Sequence, residues 1–281
     1  MIISHKQLRE INEVQIRILK AVADACSNLG IVFYMVHGSL LGAVRNHEFI
    51  PDDDDIDIAM FRSDYERFIK EAPKFLNSRY FIQTINTDPN YPLSFGKIRD
   101  SLTTYIIEEA KHLNMNHGIY IDVFPIDFIE EKGINRTISK IKLKLLDMRI
   151  ASVYNLKHEN FIKKVVRFSS KIIFPSFSKA LKRREKLLSK CTNGDNIRIT
   201  GGKVKEQAIP YSWFEKAKVE EFEKVKVFVP CDYNSYLTQI YGDYEKRTLV
   251  EDKISDERGI EVNACDIDVT TPYEEYIRRS E

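Results

Sequence analysis

Leu8, Ile11, Ile18, Val22, Ala25 and Leu29 recur at the spacing of one helix face, which predicts an amphipathic helix over residues 5–29. Gly30 suits its C-terminal cap. The periodicity then changes. IVFYMV, residues 31–36, is a continuous apolar run and reads as a buried strand. HGSLLGAVRN reads as a turn leading into a short helix, and IDIAM, 56–60, as the next strand. Ser63 and Glu66 have capping-box spacing for a helix over 64–76. Short runs of β-branched and aromatic residues between turn signals predict strands at 80–85, 94–99, 103–108 and 119–124. Residues 134–190 are helical in pattern. A small hairpin is expected at 219–230, then a helix over 234–244 ending at Gly242. The polar tail from Thr248 reads as partly disordered.

The chain of 281 residues is 43% hydrophobic, enough for a sizeable core. A net charge of +1 singles out no partner and gives no sign of nucleic-acid binding. Cys26, Cys191, Cys231 and Cys265 are far apart and form no CxxC pair, so neither zinc nor a disulfide framework is expected. They read as reduced thiols of a cytoplasmic protein. MIISHKQLREINEV is charged too early for a secretory segment, and no run of 18 apolar residues exists. Charge is uneven along the chain, however. Between Ile134 and Lys190 the only acids are Asp147, Glu159 and Glu185. Lys163, Lys164, Arg167, Lys171, Lys182, Arg183 and Arg184 accompany Phe161, Val165, Phe168, Ile172 and Phe177. That pattern fits a helix on an anionic membrane surface, or a helical cap with a solvated basic face.

Asp52, Asp53, Asp54, Asp55 and Asp57 crowd the approach to the 56–60 strand. Side chains alternate along a strand, so Asp55 and Asp57 share a face while Ile56 and Ile58 enter the core. Asp53 joins the row if the strand begins early. Two carboxylates about 7 Å apart repel by roughly 2 kcal/mol at an effective dielectric near 20. A bound cation removes that cost, and an oxygen-only site suits Mg²⁺ or Mn²⁺. The alternative is a solvated acidic turn. Upstream, Gly38 lets a backbone approach a phosphate, and Ser39 opens a helix whose free N–H groups attract anions.

The order strand, Gly-Ser, helix, acid–apolar–acid resembles the nucleotidyltransferase superfamily, which adds a third carboxylate from a later strand. Asp122, between Ile121 and Val123 in GIYIDVFPID, is that candidate, as a metal ligand or a base. Its alternative is an edge-strand aspartate facing water. HGSLLGAVRNHEFIPDDDDIDIAM, FGKIRD, HGIYIDVFPID and YLTQIYGDY together resemble the LicD family, to which fukutin-type enzymes are distantly related. Asp52 stands where the family pattern has Trp.

The resemblance implies an α+β fold with a nucleotidyltransferase-like mixed sheet flanked by helices. It implies one catalytic domain over 1–281, with a core at 1–132, the basic helical segment at 133–195 and an α/β cap at 196–281 that completes the site. The implied activity is Mg²⁺-dependent (or Mn²⁺-dependent) transfer of phosphocholine from CDP-choline to a sugar hydroxyl of a surface glycan, such as lipopolysaccharide or teichoic acid. Another CDP-alcohol donor, or nucleotidyl transfer from an NTP, are the alternatives. Carried over, Asp53, Asp55 and Asp57 match the metal-binding aspartates and Asp122 the later carboxylate. Gly38, Ser39, Arg45, Lys97 and Arg99 are the nucleotide and diphosphate candidates. Lys97 and Arg99 share a strand face, and for each cation the alternative is a surface ion pair. Choline lacks an N–H, so aromatic faces are its natural receptor. Among Tyr91, Phe95, Tyr120, Trp213, Tyr241 and Tyr244, the first candidates are Tyr120, Tyr241, Tyr244 and Trp213. His37 and His117 are expected to make local hydrogen bonds rather than bind Mg²⁺. Membrane contact would be peripheral, at the inner face.

Overall fold

The computed structural model describes residues 1–129, 134–153, 168–169, 171–200, 208–246 and 259–280. Ser4 opens helix α1 (His5–Leu29) with a capping box: its hydroxyl accepts from the Gln7 N–H at 3.2 Å, and Gln7 Oε1 accepts from the Ser4 N–H at 3.0 Å. Gly30 closes the helix at φ +62°, a conformation costly for any residue with a Cβ. The predicted stripe is the buried face, with Leu8, Ile11, Ile18, Leu19 and Val22 in the core.

The remaining elements are β1 (Ile2–Ile3), β2 (Tyr34–Met35), α2 (His37–Arg45), β3 (Asp57–Phe61), α3 (Arg62–Glu71), β4 (Tyr80–Gln83), β5 (Gly96–Asp100), β6 (Thr104–Ile106) and β7 (Ile119–Phe128). After these come α4 (Ile134–Ala151), α5 (Phe177–Leu188), β8 (Asn196–Ile199), β9 (Ile209–Pro210), β10 (Ala217–Phe222), β11 (Val225–Pro230), α6 (Tyr233–Tyr241), β12 (Ile260–Glu261), β13 (Asp266–Asp268) and α7 (Tyr273–Ser280). The main sheet runs β2-β3-β7-β5-β4, with β8 on the far end of β7 and β9 beyond it. It is mixed: β3 and β7 are parallel, and the other pairings are antiparallel. Helices α1 and α3 pack on β7 and on each other. The fold is α+β, a mixed sheet flanked by helices.

Several expected elements are shifted. Only Tyr34–Met35 of the 31–36 run is a strand. Helix α3 starts at Arg62 with no side-chain cap, so Ser63 and Glu66 form no capping box. β7 continues through Pro125 to Phe128. The β10–β11 hairpin is present, with Glu223 and Lys224 in its tight turn both at positive φ, and α6 ends at Gly242 as expected. The tail is not structureless: β12 pairs with β1, β13 pairs with β6, and α7 follows. Much of the predicted 154–170 helical stretch and residues 247–258 lie outside the described residues.

An ion network, part-buried and centred on the buried Asp127, ties the basic segment to the sheet. Arg62 donates to both oxygens of Asp127, at 2.7 and 2.8 Å, and to Glu185 at 2.7 Å. Thr200 donates to Asp127 at 2.7 Å. Strand β7 is thereby joined to α3 and α5 through charges that are compensated where they are desolvated.

Candidate active site

Ile50-Pro51-Asp52-Asp53 is a tight turn, with the Asp53 N–H donating to the Ile50 carbonyl at 3.2 Å. Proline second and a positive φ third, +66° at Asp52, are the type II signature. Asp52 alone fits the solvated-turn reading: it is exposed, 4.0 Å from His5. Beyond the turn the run alternates. Asp54 is tied to the scaffold: its carboxylate accepts from Tyr105 at 2.7 Å, and its carbonyl accepts from Gln15 at 2.8 Å. Asp53, Asp55 and Asp57 interact with one another electrostatically. Asp55 precedes β3 rather than lying within it.

Gly38 makes room for Asp53. A Cβ at residue 38 would stand 3.0 Å from Asp53 Oδ2, and that oxygen is buried with no hydrogen-bond partner. Ser39 also serves the acidic row, since its buried hydroxyl accepts from the Asp57 N–H at 2.9 Å. Helix α2 already begins at His37, ahead of the expected Gly38-Ser39 start.

Strand register builds the rest. Asp57 on β3 pairs with Asp122 on β7, Asp122 with Lys97 on β5, and Lys97 with Gln83 on β4. Paired residues point to one face, so two carboxylates and an ammonium form a row across three strands. Asp122 is only 8% exposed on a central strand, which excludes the water-facing edge alternative. Lys97 donates to Asp122, and its Nζ lies 3.3 Å from the Tyr120 ring centroid. Burial lowers the Lys97 pKa and the Asp122 charge opposes that fall. Burial, then Asp55 and Asp54, hold Asp53 well above the usual carboxylate range. Burial, then Asp55, Asp122 and Asp53, do the same for Asp57, with Lys97 pulling it down.

Arg99 is buried, donating through Nε to Gln83 and through Nη1 to the Gly118 carbonyl at 2.6 Å, with its guanidinium carbon 4.8 Å from the Tyr120 centroid. The surface-ion-pair alternative therefore fails for both Lys97 and Arg99. Arg45 ends α2 and donates to the Tyr244 carbonyl at 3.4 Å. Tyr241 is 44% exposed; burial raises its hydroxyl to about 12, and the charges of Asp53, Asp57 and Asp55 push in the same direction. Tyr244 bonds Asn234 through its hydroxyl, and Trp213 lies partly buried in the 211–213 turn of helix. Tyr120 has Lys97 against its ring. Tyr91 is fully buried in a satellite core with Ala110 and Met115, and Phe95 packs on Phe124 at 4.5 Å.

His117 donates through Nε2 to the Leu113 carbonyl at 2.9 Å, a local bond as expected, and His37 Nδ1 meets Tyr236 Oη at 3.3 Å across 199 residues. Burial lowers each imidazole to about 4. Tyr236 itself escaped the sequence reading. It falls on the apolar face of α6, where a core role is the natural inference, yet Asp57 and Tyr241 both influence its hydroxyl.

Among the described residues, no three His, Cys, Asp or Glu side chains converge into a complete metal cage. The donor set nonetheless fits a hard cation. The groups are all carboxylates, one oxygen of Asp53 is orphaned, and burial, then neighbouring carboxylates, suppress ionisation of Asp53 and Asp57. Mg²⁺ needs only one or two protein carboxylates when phosphate and water fill its other positions.

The family model described as LicD/FKTN/FKRP, nucleotidyltransferase domain, matches residues 30–177, more than half of the chain. The chain is also 28% identical over 255 residues to the lipopolysaccharide cholinephosphotransferase LicD of Haemophilus influenzae (strain ATCC 51907 / DSM 11121 / KW20 / Rd), a match covering 88% of this chain and 94% of that protein. The family match takes in the acidic run, Lys97 and Asp122, the residues that strand register brings into one row. By that match and that arrangement, the chain belongs to the LicD/FKTN/FKRP nucleotidyltransferase-domain family.

Proposed function

We propose that this protein is a phosphotransferase that moves phosphocholine from CDP-choline to a sugar hydroxyl of a cell-surface glycan, with lipopolysaccharide the first candidate. The observation that carries the reading is the Asp57–Asp122–Lys97 row within a chain similar almost end to end to a cholinephosphotransferase. Asp55 and Asp57, with Asp53 beside them, would hold Mg²⁺ or Mn²⁺, which would supply charge neutralisation for a diphosphate. Asp122 accepts the proton of the sugar hydroxyl. The sugar oxygen forms a bond to the phosphorus next to choline, the bond to the CMP oxygen breaks, and CMP leaves with that electron pair. Such transfers depend chiefly on positioning and electrostatics. Lys97 keeps Asp122 oriented. Ser39 holds Asp57 in place, Gly38 leaves space for Asp53, and Arg99 braces Tyr120. Arg45 is the cation assigned to the donor phosphates on the α2 side. Tyr241, half exposed and acted on by the carboxylate charges, is the first aromatic face for choline, with Tyr120, Tyr244 and Trp213 behind it.

A cytoplasmic location and peripheral contact with an anionic membrane belong to the same reading. Phe168, Ile172 and Ile173 are exposed within the basic stretch. Among the described residues no helix is long and apolar enough to cross a membrane. The test is incubation with CDP-choline, CDP-ribitol, CDP-glycerol and NTPs in Mg²⁺. CMP release from CDP-choline in preference to the others is expected. Equal use of CDP-ribitol would replace the donor, and pyrophosphate release from an NTP would replace the reaction.

A further inference from the structure

The β3–β7 ladder begins at Asp57 and Asp122, where the Asp122 N–H donates to the Ile56 carbonyl at 2.8 Å. One rung earlier, a continued parallel ladder would offer the Tyr120 N–H to the Asp54 carbonyl and the Ile56 N–H to the Tyr120 carbonyl. At that rung both carbonyls accept from a side chain of α1: Gln15 Nε2 donates to Asp54 at 2.8 Å and to Tyr120 at 3.3 Å. A carboxamide carries two N–H bonds, one for each carbonyl. Its own oxygen, Gln15 Oε1, is buried with no hydrogen-bond partner among the described residues. That is unfavourable, and an apolar side chain would avoid it. Packing therefore does not account for a glutamine, 2% exposed, on the buried face of α1.

What the amide joins does account for it. Asp54 lies between Asp53 and Asp55, and Tyr120 lies two residues before Asp122. Gln15 thus spans the point where the segment carrying Asp53 and Asp55 parts from the strand carrying Asp122. Tyr105 touches the same two residues. Its hydroxyl donates to the Asp54 carboxylate at 2.7 Å, and its ring meets that of Tyr120 edge-on, with centroids 5.5 Å apart. Like charges on the two segments repel, and these contacts oppose their separation. We propose that Gln15 and Tyr105 are positioning residues that set the distance between the 53–57 segment and Asp122, and with it the strength with which the carboxylates hold a divalent cation. The purpose rests on the metal-dependent reading above, while the fastening rests on the contacts alone.

The probe is Mn²⁺ alone, titrated into the full chain without donor and followed by its electron paramagnetic resonance signal. Gln15→Met keeps the length and packing of the side chain but has no N–H, and Tyr105→Phe keeps the ring but loses the hydroxyl. Val22→Ala, a core change on the same helix, controls for lost stability. The Mn²⁺ dissociation constant is expected to rise about 10-fold or more in Gln15→Met, to rise also in Tyr105→Phe, and to stay within about 2-fold in Val22→Ala. In chelator, amide hydrogen exchange read by mass spectrometry is expected to quicken across 50–61 and 117–124 more in Gln15→Met than in Val22→Ala. Melting curves confirm that each variant folds, and Tyr105→Phe decides by the same readouts if Gln15→Met does not. Mn²⁺ binding that is unchanged, or that weakens equally in Val22→Ala, overturns the positioning role, as does exchange that does not respond. If the wild type binds no Mn²⁺ while exchange responds as expected, the cation reading falls and the fastening stands.

Discussion

Lys97 is the residue on which the row's charge balance turns. It is 3% exposed and is the only residue of the row that can offset the charges of Asp122 and Asp57. Lys97→Met leaves those carboxylates facing each other in a desolvated place. Breaking such a pair costs about 3–5 kcal/mol, so the urea midpoint should fall accordingly. CMP release should drop by about 10²-fold or more as Asp122 loses its orientation. An unchanged midpoint would mean that the pair carries no stability. The Asp57 carboxyl, held up by burial and its neighbours, makes a second prediction. A raised carboxyl contributes stability that is fully present below its unfolded pKa, about 4, and is lost as pH rises through its folded value. In chelator, the wild-type melting temperature should therefore decline from mild acid to neutral pH. Asp57→Asn should flatten that decline and abolish CMP release, and added Mg²⁺ should reverse it in the wild type. A pH profile identical in Asp57→Asn contradicts the assignment. At this scale the sequence was most legible where a period of two applies, as in the parity of Asp53, Asp55 and Asp57. It was least legible where one polar atom serves another across the fold, as with Ser39 and Asp57 or His37 and Tyr236.

Elements were legible in kind more than in extent. β7 was expected over 119–124, yet it runs on through Pro125, which has no N–H to give to a ladder. Pro125 is accommodated because its carbonyl accepts from the Thr200 N–H at 2.9 Å and β8 takes up pairing from Ile126. Helix α3 was expected to open with a Ser63–Glu66 capping box, yet it grows directly out of β3 at Arg62, with no side-chain cap. The β10–β11 turn offers a test at this scale. Lys224 sits at φ +64°, a conformation that costs a residue with a Cβ about 1 kcal/mol. Lys224→Gly should raise stability by about 0.5–1 kcal/mol, read from chemical denaturation. Glu223, also at positive φ, is not the position to change, because it accepts from Arg9 at 2.8 and 3.1 Å. A loss of stability in Lys224→Gly would show that the turn is not strained.

Across the whole molecule, the blocks that carry the family resemblance are local in sequence and were readable, whereas the joints between them were not. Arg62 meets Asp127 across 65 residues and Glu185 across 123, and no local pattern marks such a meeting. The uneven charge was plain, and the fold adds to it the exposure of Phe168, Ile172 and Ile173 at 67%, 68% and 55%. If that surface meets anionic lipid, the protein should co-sediment with phosphatidylglycerol vesicles and not with phosphatidylcholine, and should be released by high salt. Ile172→Asp with Ile173→Asp should weaken sedimentation without lowering CMP release in solution. Equal sedimentation of this double variant would assign the exposed residues another role.

The tight turn at Ile50–Asp53 bears on chain length rather than charge. Counted back from β3, a chain with three consecutive aspartates instead of four still fills positions 53, 54 and 55. What changes is position 52, where Pro51 would arrive. That position has φ +66°, and the proline ring holds φ near −65°. The fourth aspartate is thus a spacer: its backbone geometry matters and its carboxylate does not, in keeping with a family pattern that has Trp there. Asp52→Gly should keep full activity and gain about 0.5–1 kcal/mol in stability. Deleting any one of the four codons yields the same protein, and that protein should lose both melting temperature and CMP release. A deletion variant as active as the wild type would show that the turn can be rebuilt one residue shorter.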